Sequence, residues 1–250
     1  MDKKQYIGVF DSGIGGLNVL NNLVEEFPNE NFLYLGDNLN VPYGVKTADQ
    51  LKEIISKIFR YFEKEEVKAI VIACNTASVA SMELESSVPV FRIIEPTAKN
   101  ALKVSNNIGV LATNFTIESK GYDVYLKDNM KGIKASPFVT IIESDSVDTP
   151  ESQKVIKDIL VPFKDKIDSI ILGCTHFSIL EKEIKQYLGD IKIIDSCKSF
   201  GEVLKQYLDE NDLNNDDSNR VVKINFTKED KINTKWFKHP YQGINFVNLD

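Results

Sequence analysis

A doubly wound α/β fold, built as two similar parallel-rich domains facing each other across a central cleft, is predicted by three observations on this chain. Short β-branched apolar runs alternate with amphipathic stretches, which is the rhythm of βαβ units. Several of those runs recur at a spacing of 100 or 101 residues. Two cysteines, Cys74 and Cys174, close two of the recurring runs, at the point where a parallel strand hands over to a helix and where α/β proteins gather their chemistry.

In chain order, the first half has strand-like runs at 6–10, 32–35, 69–73 and 90–94, separated by amphipathic stretches at 17–27, 48–65 and 76–85. The second half repeats the rhythm with strands expected at 108–111, 139–142, 169–172 and 192–194, and helices at 181–188 and 200–211. Runs this uniformly apolar suit parallel sheets covered on both faces. A polar stretch at 211–219 reads as a solvated turn, and short β-like pieces at 220–226 and 243–247 read as a return of the chain to the first half. The expected division is therefore 1–98 plus 208–250 for a first domain carrying Asp11 and Cys74, and 99–207 for a second carrying Cys174 and His176.

The repeat extends beyond the cysteines. Gly8-Val9-Phe10-Asp11-Ser12 is echoed by Gly109-Val110-Leu111-Ala112-Thr113, and Ile93-Ile94-Glu95 by Ile193-Ile194-Asp195. Each string alone is common in α/β sheets; the shared offset carries the argument. Asn75-Thr76-Ala77-Ser78 follows the first cysteine and Thr175-His176-Phe177-Ser178 the second, small polar groups that suit a helix start. One thiol from each half would then flank one small ligand.

Composition narrows the function. With 42% apolar and 27% charged residues in 250, the chain is an ordinary globular protein able to bury one large or two modest cores. Net charge of −7 without a basic block argues against nucleic acid as a partner. No apolar run approaches the ~20 residues that cross a bilayer, and the opening Met1-Asp2-Lys3-Lys4-Gln5 leads straight into a strand, so a cytoplasmic protein without membrane association is expected. Three cysteines in such a chain should be reduced. No metal is expected: there is no Cys-x-x-Cys pair, and the histidines are His176 and His239, which leaves Cys174, His176 and Cys197 as a disfavoured arithmetic set.

The loop Asp11-Ser12-Gly13-Ile14-Gly15-Gly16-Leu17 places three glycines in four residues between a strand and a helix. Either its amides approach a bound anion, or the glycines permit a tight turn that Asp11 caps. It is not a dinucleotide fingerprint, because the Gly-x-Gly-x-x-Gly spacing is absent and Asp11 would repel a pyrophosphate. Pro42-Tyr43-Gly44 reads as a turn that could close over a ligand.

Taken together, Gly8 to Leu17, Pro42-Tyr43-Gly44, Ala73-Cys74-Asn75-Thr76-Ala77-Ser78 and Gly173-Cys174-Thr175-His176 resemble the glutamate racemases over essentially the whole chain. The resemblance implies interconversion of L- and D-glutamate without a cofactor, supplying D-glutamate for peptidoglycan, and it implies a carboxy-terminal segment that completes the first domain. Inverting Cα requires a proton removed from one face and delivered to the other, so one thiol acts as thiolate while the other is protonated. A free cysteine has a pKa near ~8.5, so helix amides or a neighbouring base must favour the thiolate. The resemblance gives Asp11 the task of assisting Cys74, and His176 that of assisting Cys174. It pairs Cys74 with D-glutamate and Cys174 with L-glutamate. Ser12, Asn75, Thr76, Thr116 and Thr175, beside Asp11 and His176, would grip the carboxylates and ammonium, with Pro42-Tyr43-Gly44 supplying amides to the side-chain carboxylate. Thr113 reads as a helix cap.

The chain departs from the family pattern in places. Ser136-Pro137 stands where Cys-Pro is usual, Phe177-Ser178 where Tyr-Pro is common, and Thr116 follows Phe115 rather than glycine. Glu143 matches a glutamate often kept near the second cysteine, with a solvated surface residue as the alternative. Cys197 reads as a small buried apolar group. Rival readings are an aspartate or broader amino-acid racemase of the same superfamily, a cysteine enzyme using Cys174 with His176, and an amino-acid-binding module. Family members are commonly homodimers.

Overall fold

The structure, a computed structural model, describes residues 1–249. It contains two compact units: Met1–Ile93 together with the chain from Cys197 onward, and Ile94–Ser196. The first opens with β1 (Ile7–Asp11), α1 (Leu17–Glu26), β2 (Phe32–Gly36), α2 (Ala48–Lys64), β3 (Ala69–Ile72), α3 (Asn75–Ala80) and β4 (Val90–Arg92). The second comprises α4 (Ile94–Leu102), β5 (Ile108–Ala112), α5 (Asn114–Glu118), α6 (Asp123–Leu126), β6 (Met130–Lys134), α7 (Ser136–Glu143), α8 (Pro150–Leu160), β7 (Ser169–Gly173), α9 (Glu181–Leu188) and β8 (Lys192–Asp195). The chain then re-enters the first unit with α10 (Gly201–Glu210), β9 (Val222–Phe226) and β10 (Ile244–Phe246).

Among the described residues the first unit holds a six-stranded sheet ordered β10-β9-β2-β1-β3-β4, and the second a four-stranded sheet ordered β6-β5-β7-β8. Every pairing is parallel. The block β2-β1-β3-β4 and the block β6-β5-β7-β8 are the same topology, and the carboxy-terminal strands β9 and β10 extend the first. Central strands β1, β3, β5 and β7 are buried along their whole length, so they read as unbroken apolar runs.

The echoed glycines have a packing cause. Gly8 pairs in register with Ile70, and Gly109 with Ile170, at equivalent places in the two sheets. A Cβ at Gly8 would lie 2.7 Å from the Phe62 ring of α2, and one at Gly109 would lie 2.5 Å from Ile167. Each sheet thus accepts a large side chain pressed against its centre.

Three expectations are corrected. Residues 139–142 form part of α7 rather than a strand: Pro137 opens the helix, and the buried Phe138, Ile141 and Ile142 follow helical spacing although residues 139–142 are all β-branched. The strand of that region is β6, an edge strand in which Ile133 is buried and its neighbours largely face solvent, so no apolar run marks it. The expected strand 90–94 stops at Arg92, because Ile94 already begins α4, and the echo of 93–95 with 193–195 therefore joins a helix start to a strand. The stretch 76–85 is helical only to Ala80, where Ser81 ends it. Helix α8 lacked a sequence assignment although Thr149, capping through the Ser152 amide at 3.3 Å, and Pro150 mark its start. Among the described residues no helix is long and apolar enough to cross a membrane.

Candidate functional site

In the first unit the chemistry collects where β1, β2 and β3 end. β3 runs apolar and buried to Ile72, and Cys74 then leaves the strand as the N-cap of α3, its Sγ accepting from the Ala77 amide at 3.5 Å. The thiol also lies 3.6 Å from Ser12 Oγ. Asp11, the last residue of β1, is fully buried. Its Oδ2 accepts from the Gly13 amide at 3.1 Å and the Gly16 amide at 3.0 Å. Two amides of the glycine loop thus turn to the Asp11 carboxylate beside the start of α1, whose N-cap is Gly16. A Cβ at Gly16 would overlap the Asp11 side chain and lie 2.8 Å from Tyr34 Oη, so glycine is required there for space.

Tyr34 and Asp37 enter the site without having been singled out in the sequence. Tyr34 Oη donates to the Gly13 carbonyl at 2.6 Å and pins the loop from below. Burial pushes its phenol well above 10, and the neighbouring Asp11 and Cys74 push it further. Tyr43 behaves likewise, raised by burial, then by Asp37, Cys74 and Asp11. Both phenols are therefore neutral donors. The signal for Tyr34 was a lone phenol in an otherwise apolar buried strand. Pro42-Tyr43-Gly44 is a turn as expected, with Tyr43–Val45 in a 3-10 turn after a cis Val41-Pro42 bond. Asn75 and Thr76 are buried in the first turn of α3, and Ser12 is half-buried.

In the second unit, β7 ends at Gly173 and Cys174 follows it. Cys174 Sγ lies 3.7 Å from His176 Nδ1, and Thr175 Oγ1 lies 3.5 Å from the same nitrogen. On the other side of the ring, Nε2 is 3.3 Å from Glu143 Oε1 at the end of α7. His176 is buried and Glu143 is half exposed. The Glu143 carboxylate thus lies beside the imidazole nitrogen that does not face Cys174. Thr113 caps α5 through the Thr116 amide at 3.4 Å, and the two hydroxyls are 3.0 Å apart, with Thr116 buried. Cys197 is buried among the core residues. Among the described residues none of Cys74, Cys174 and Cys197 forms a disulfide. Among the described residues no group of three His, Cys, Asp or Glu side chains is placed to hold a metal ion.

Each unit thus ends its third strand in a thiol beside a group able to hold or accept a proton. A family model for Asp/Glu/hydantoin racemases matches residues 7–200, a span containing both cysteines, Asp11, Glu143 and His176. The chain belongs to that racemase family. A curated relative, the glutamate racemase of Aquifex pyrophilus, is 38% identical over 229 residues, covering 88% of this chain and 88% of that protein. Among solved structures of the family, glutamate racemase from Thermus thermophilus in complex with β-chloro-D-alanine superposes with a TM-score of 0.90 at 32% identity, covering 100% of this chain and 99% of the other. The enzyme from Francisella tularensis in complex with D-glutamate gives 0.91 at 32% identity, covering 99% of each chain.

Proposed function

We propose that this racemase-family chain interconverts L- and D-glutamate without a cofactor, with Cys74 and Cys174 as the two acid–base groups. The observation that carries the reading is the paired placement of a thiol at the end of the third strand of each unit, one beside Ser12 and the Ala77 amide, the other beside His176. The identity to glutamate racemases over most of the chain supports glutamate as the substrate.

A two-base racemisation proceeds in both directions through the same groups. When one thiolate removes the Cα proton, the opposite thiol delivers a proton to the other face, and the two exchange roles for the reverse reaction. On the Cys74 side, the Ala77 amide stabilises sulfur charge, while Asp11, held by the Gly13 and Gly16 amides, is the group that relays the proton. On the Cys174 side, His176, backed by Glu143, accepts the thiol proton. Ser12, Asn75, Thr76, Thr116 and Thr175 supply neutral donors to the α-carboxylate and ammonium. The Tyr43-Gly44 backbone serves the side-chain carboxylate. Neutral donors suit an enzyme that must release both enantiomers and needs its stabilisation where carbanion charge develops.

The product would serve peptidoglycan synthesis from a cytoplasmic location, and the assembly would be a homodimer, which light scattering on the eluted protein checks. The reaction itself is tested with L-glutamate in D2O, following Cα deuterium by proton NMR and the optical signal by circular dichroism. Deuterium incorporation with decay of the signal to zero is expected. Neither exchange nor decay with glutamate, but both with aspartate, would transfer the assignment to the aspartate reading.

A further inference from the structure

Between Asp37 and Leu51 the chain crosses the open end of the first sheet as a segment in which Tyr43 alone is buried. Leu39, Val41 and Val45 project into solvent. The turn that carries Gly44 thus has one buried side chain, and that side chain ends on Asp37. Tyr43 Oη donates to Asp37 Oδ2 at 2.6 Å while its ring packs against Phe10, with centroids 6.2 Å apart. Asp37 is fully buried, and its carboxylate collects two further donors: Thr227 Oγ1 at 2.7 Å on Oδ1, and Asn40 Nδ2 at 3.0 Å from each oxygen. Its own amide donates to the Asp11 carbonyl at 3.0 Å, continuing the β1–β2 ladder past the strand end.

We propose that Asp37 is a positioning residue for substrate: with its backbone amide tied to the Asp11 carbonyl and its carboxylate to Thr227 of the returning chain, it holds the Tyr43-Gly44 turn where its amides meet the side-chain carboxylate of glutamate. This rests on the functional reading above and deepens it. Three donors converge on Asp37 and none of them accepts from it, which matches a carboxylate, an acceptor at both oxygens. Asparagine has the same shape but would turn an NH2 group toward a hydroxyl or amide donor. The tie acts on binding rather than on proton transfer, because the side-chain carboxylate of glutamate keeps its charge throughout the reaction. Loss of the tie should weaken ground state and transition state alike, the signature of uniform binding.

The test compares the steady-state kinetics of wild type, Asp37→Asn, Tyr43→Phe and the double variant, with far-UV circular dichroism and urea midpoints confirming the fold. Tyr43→Phe removes one hydroxyl and keeps the ring on Phe10, so it preserves the test should Asp37→Asn fold poorly. The expected result is a KM for glutamate raised about tenfold to one-hundredfold in each single variant, the effect of losing a hydrogen bond to a charged acceptor, with kcat within about threefold of wild type. The double variant should be no worse than the weaker single, since both remove the same contact. An unchanged KM, a fall in kcat alone, or effects that multiply in the double variant would overturn the proposal. Calorimetric titration of glutamate reads the same factor as a Kd. A wild-type protein that binds glutamate but does not racemise it would therefore refute the reaction while still scoring Asp37.

Discussion

Removing the charge of Lys68 should unlatch the start of the strand that delivers Cys74. Lys68 immediately precedes β3, and its side chain is fully buried, as is nearly all of its partner Glu30. The ammonium lies 2.5 Å from Glu30 Oε2 and donates to the Lys3 carbonyl at 2.6 Å and the Leu213 carbonyl at 2.8 Å. Glu30 Oε1 in turn accepts from the Asn215 amide at 2.8 Å. One cation thus joins the amino terminus, the loop before β2 and the segment after α10. Burial lowers the Lys68 pKa from 10.5, opposed by the hydrogen bond and charge of Glu30. Desolvation being the leading influence, the pair adds little net stability as a pair, yet breaking it is costly because Glu30 remains buried and charged. Lys68→Met, of similar length, should therefore cost about 3–5 kcal/mol, a large share of the ~5–15 kcal/mol that holds a domain. Urea unfolding followed by circular dichroism measures the loss. Lys68→Met/Glu30→Leu should be more stable than Lys68→Met alone, because no charge is stranded. A single variant costing under about 1 kcal/mol, as for exposed pairs, or a double variant worse than the single, would refute the reasoning.

Three further outcomes are expected. Cys74→Ser and Cys174→Ser should each lower glutamate racemisation by about 10²- to 10⁴-fold, the range of a lost acid–base group, whereas undiminished racemisation in Cys74→Ser would refute the two-thiol mechanism. Glu143→Gln should slow turnover by about tenfold, the equivalent of removing one negative charge 3.3 Å from His176 Nε2, and leave the urea midpoint nearly unchanged because Glu143 is half exposed. Alkaline stability should fail in a defined window. Burial raises the Tyr61 phenol to about 12, and Tyr34 and Tyr43 stand well above 10. With folded values above the unfolded value of 10, these groups contribute stability that is intact below pH 10 and is lost as pH rises toward the folded values. The slope is about 1.4 kcal/mol per pH unit for each phenol. Phenolate absorbance should then rise together with loss of native circular dichroism; phenolate formation in a chain that stays folded would contradict this.

Much of the site was legible because its signals are local. A fully buried parallel strand must be apolar along its length, so the runs 69–73 and 169–172 declared themselves, and the first polar or reactive residues after them marked the chemistry. The amphipathic stretch 48–65 likewise announced α2, which the structure opens with a capping box of Thr47 and Gln50. Where local signals conflicted, the reading failed: residues 139–142 have strand composition but helical spacing, and spacing decided, since Phe138, Ile141 and Ile142 share one buried face.

The sequence by itself determined the alternation of strands and helices, the repeat of one sheet motif, and the two cysteines that close equivalent strands, because each rests on patterns within about ten residues or on an offset that can be counted. Tertiary structure alone decided what surrounds those thiols. Tyr34 reaches Gly13, Glu143 reaches His176, and Asp37 meets Tyr43 close by and Thr227 at a separation of 190 residues. Edge strand β6 exists because β5 offers it a ladder, with one buried residue of its own. Such contacts leave no periodic trace in the chain: a buried polar group is specified by whichever distant donor or acceptor satisfies it, and that partner is chosen only when the sheets are assembled.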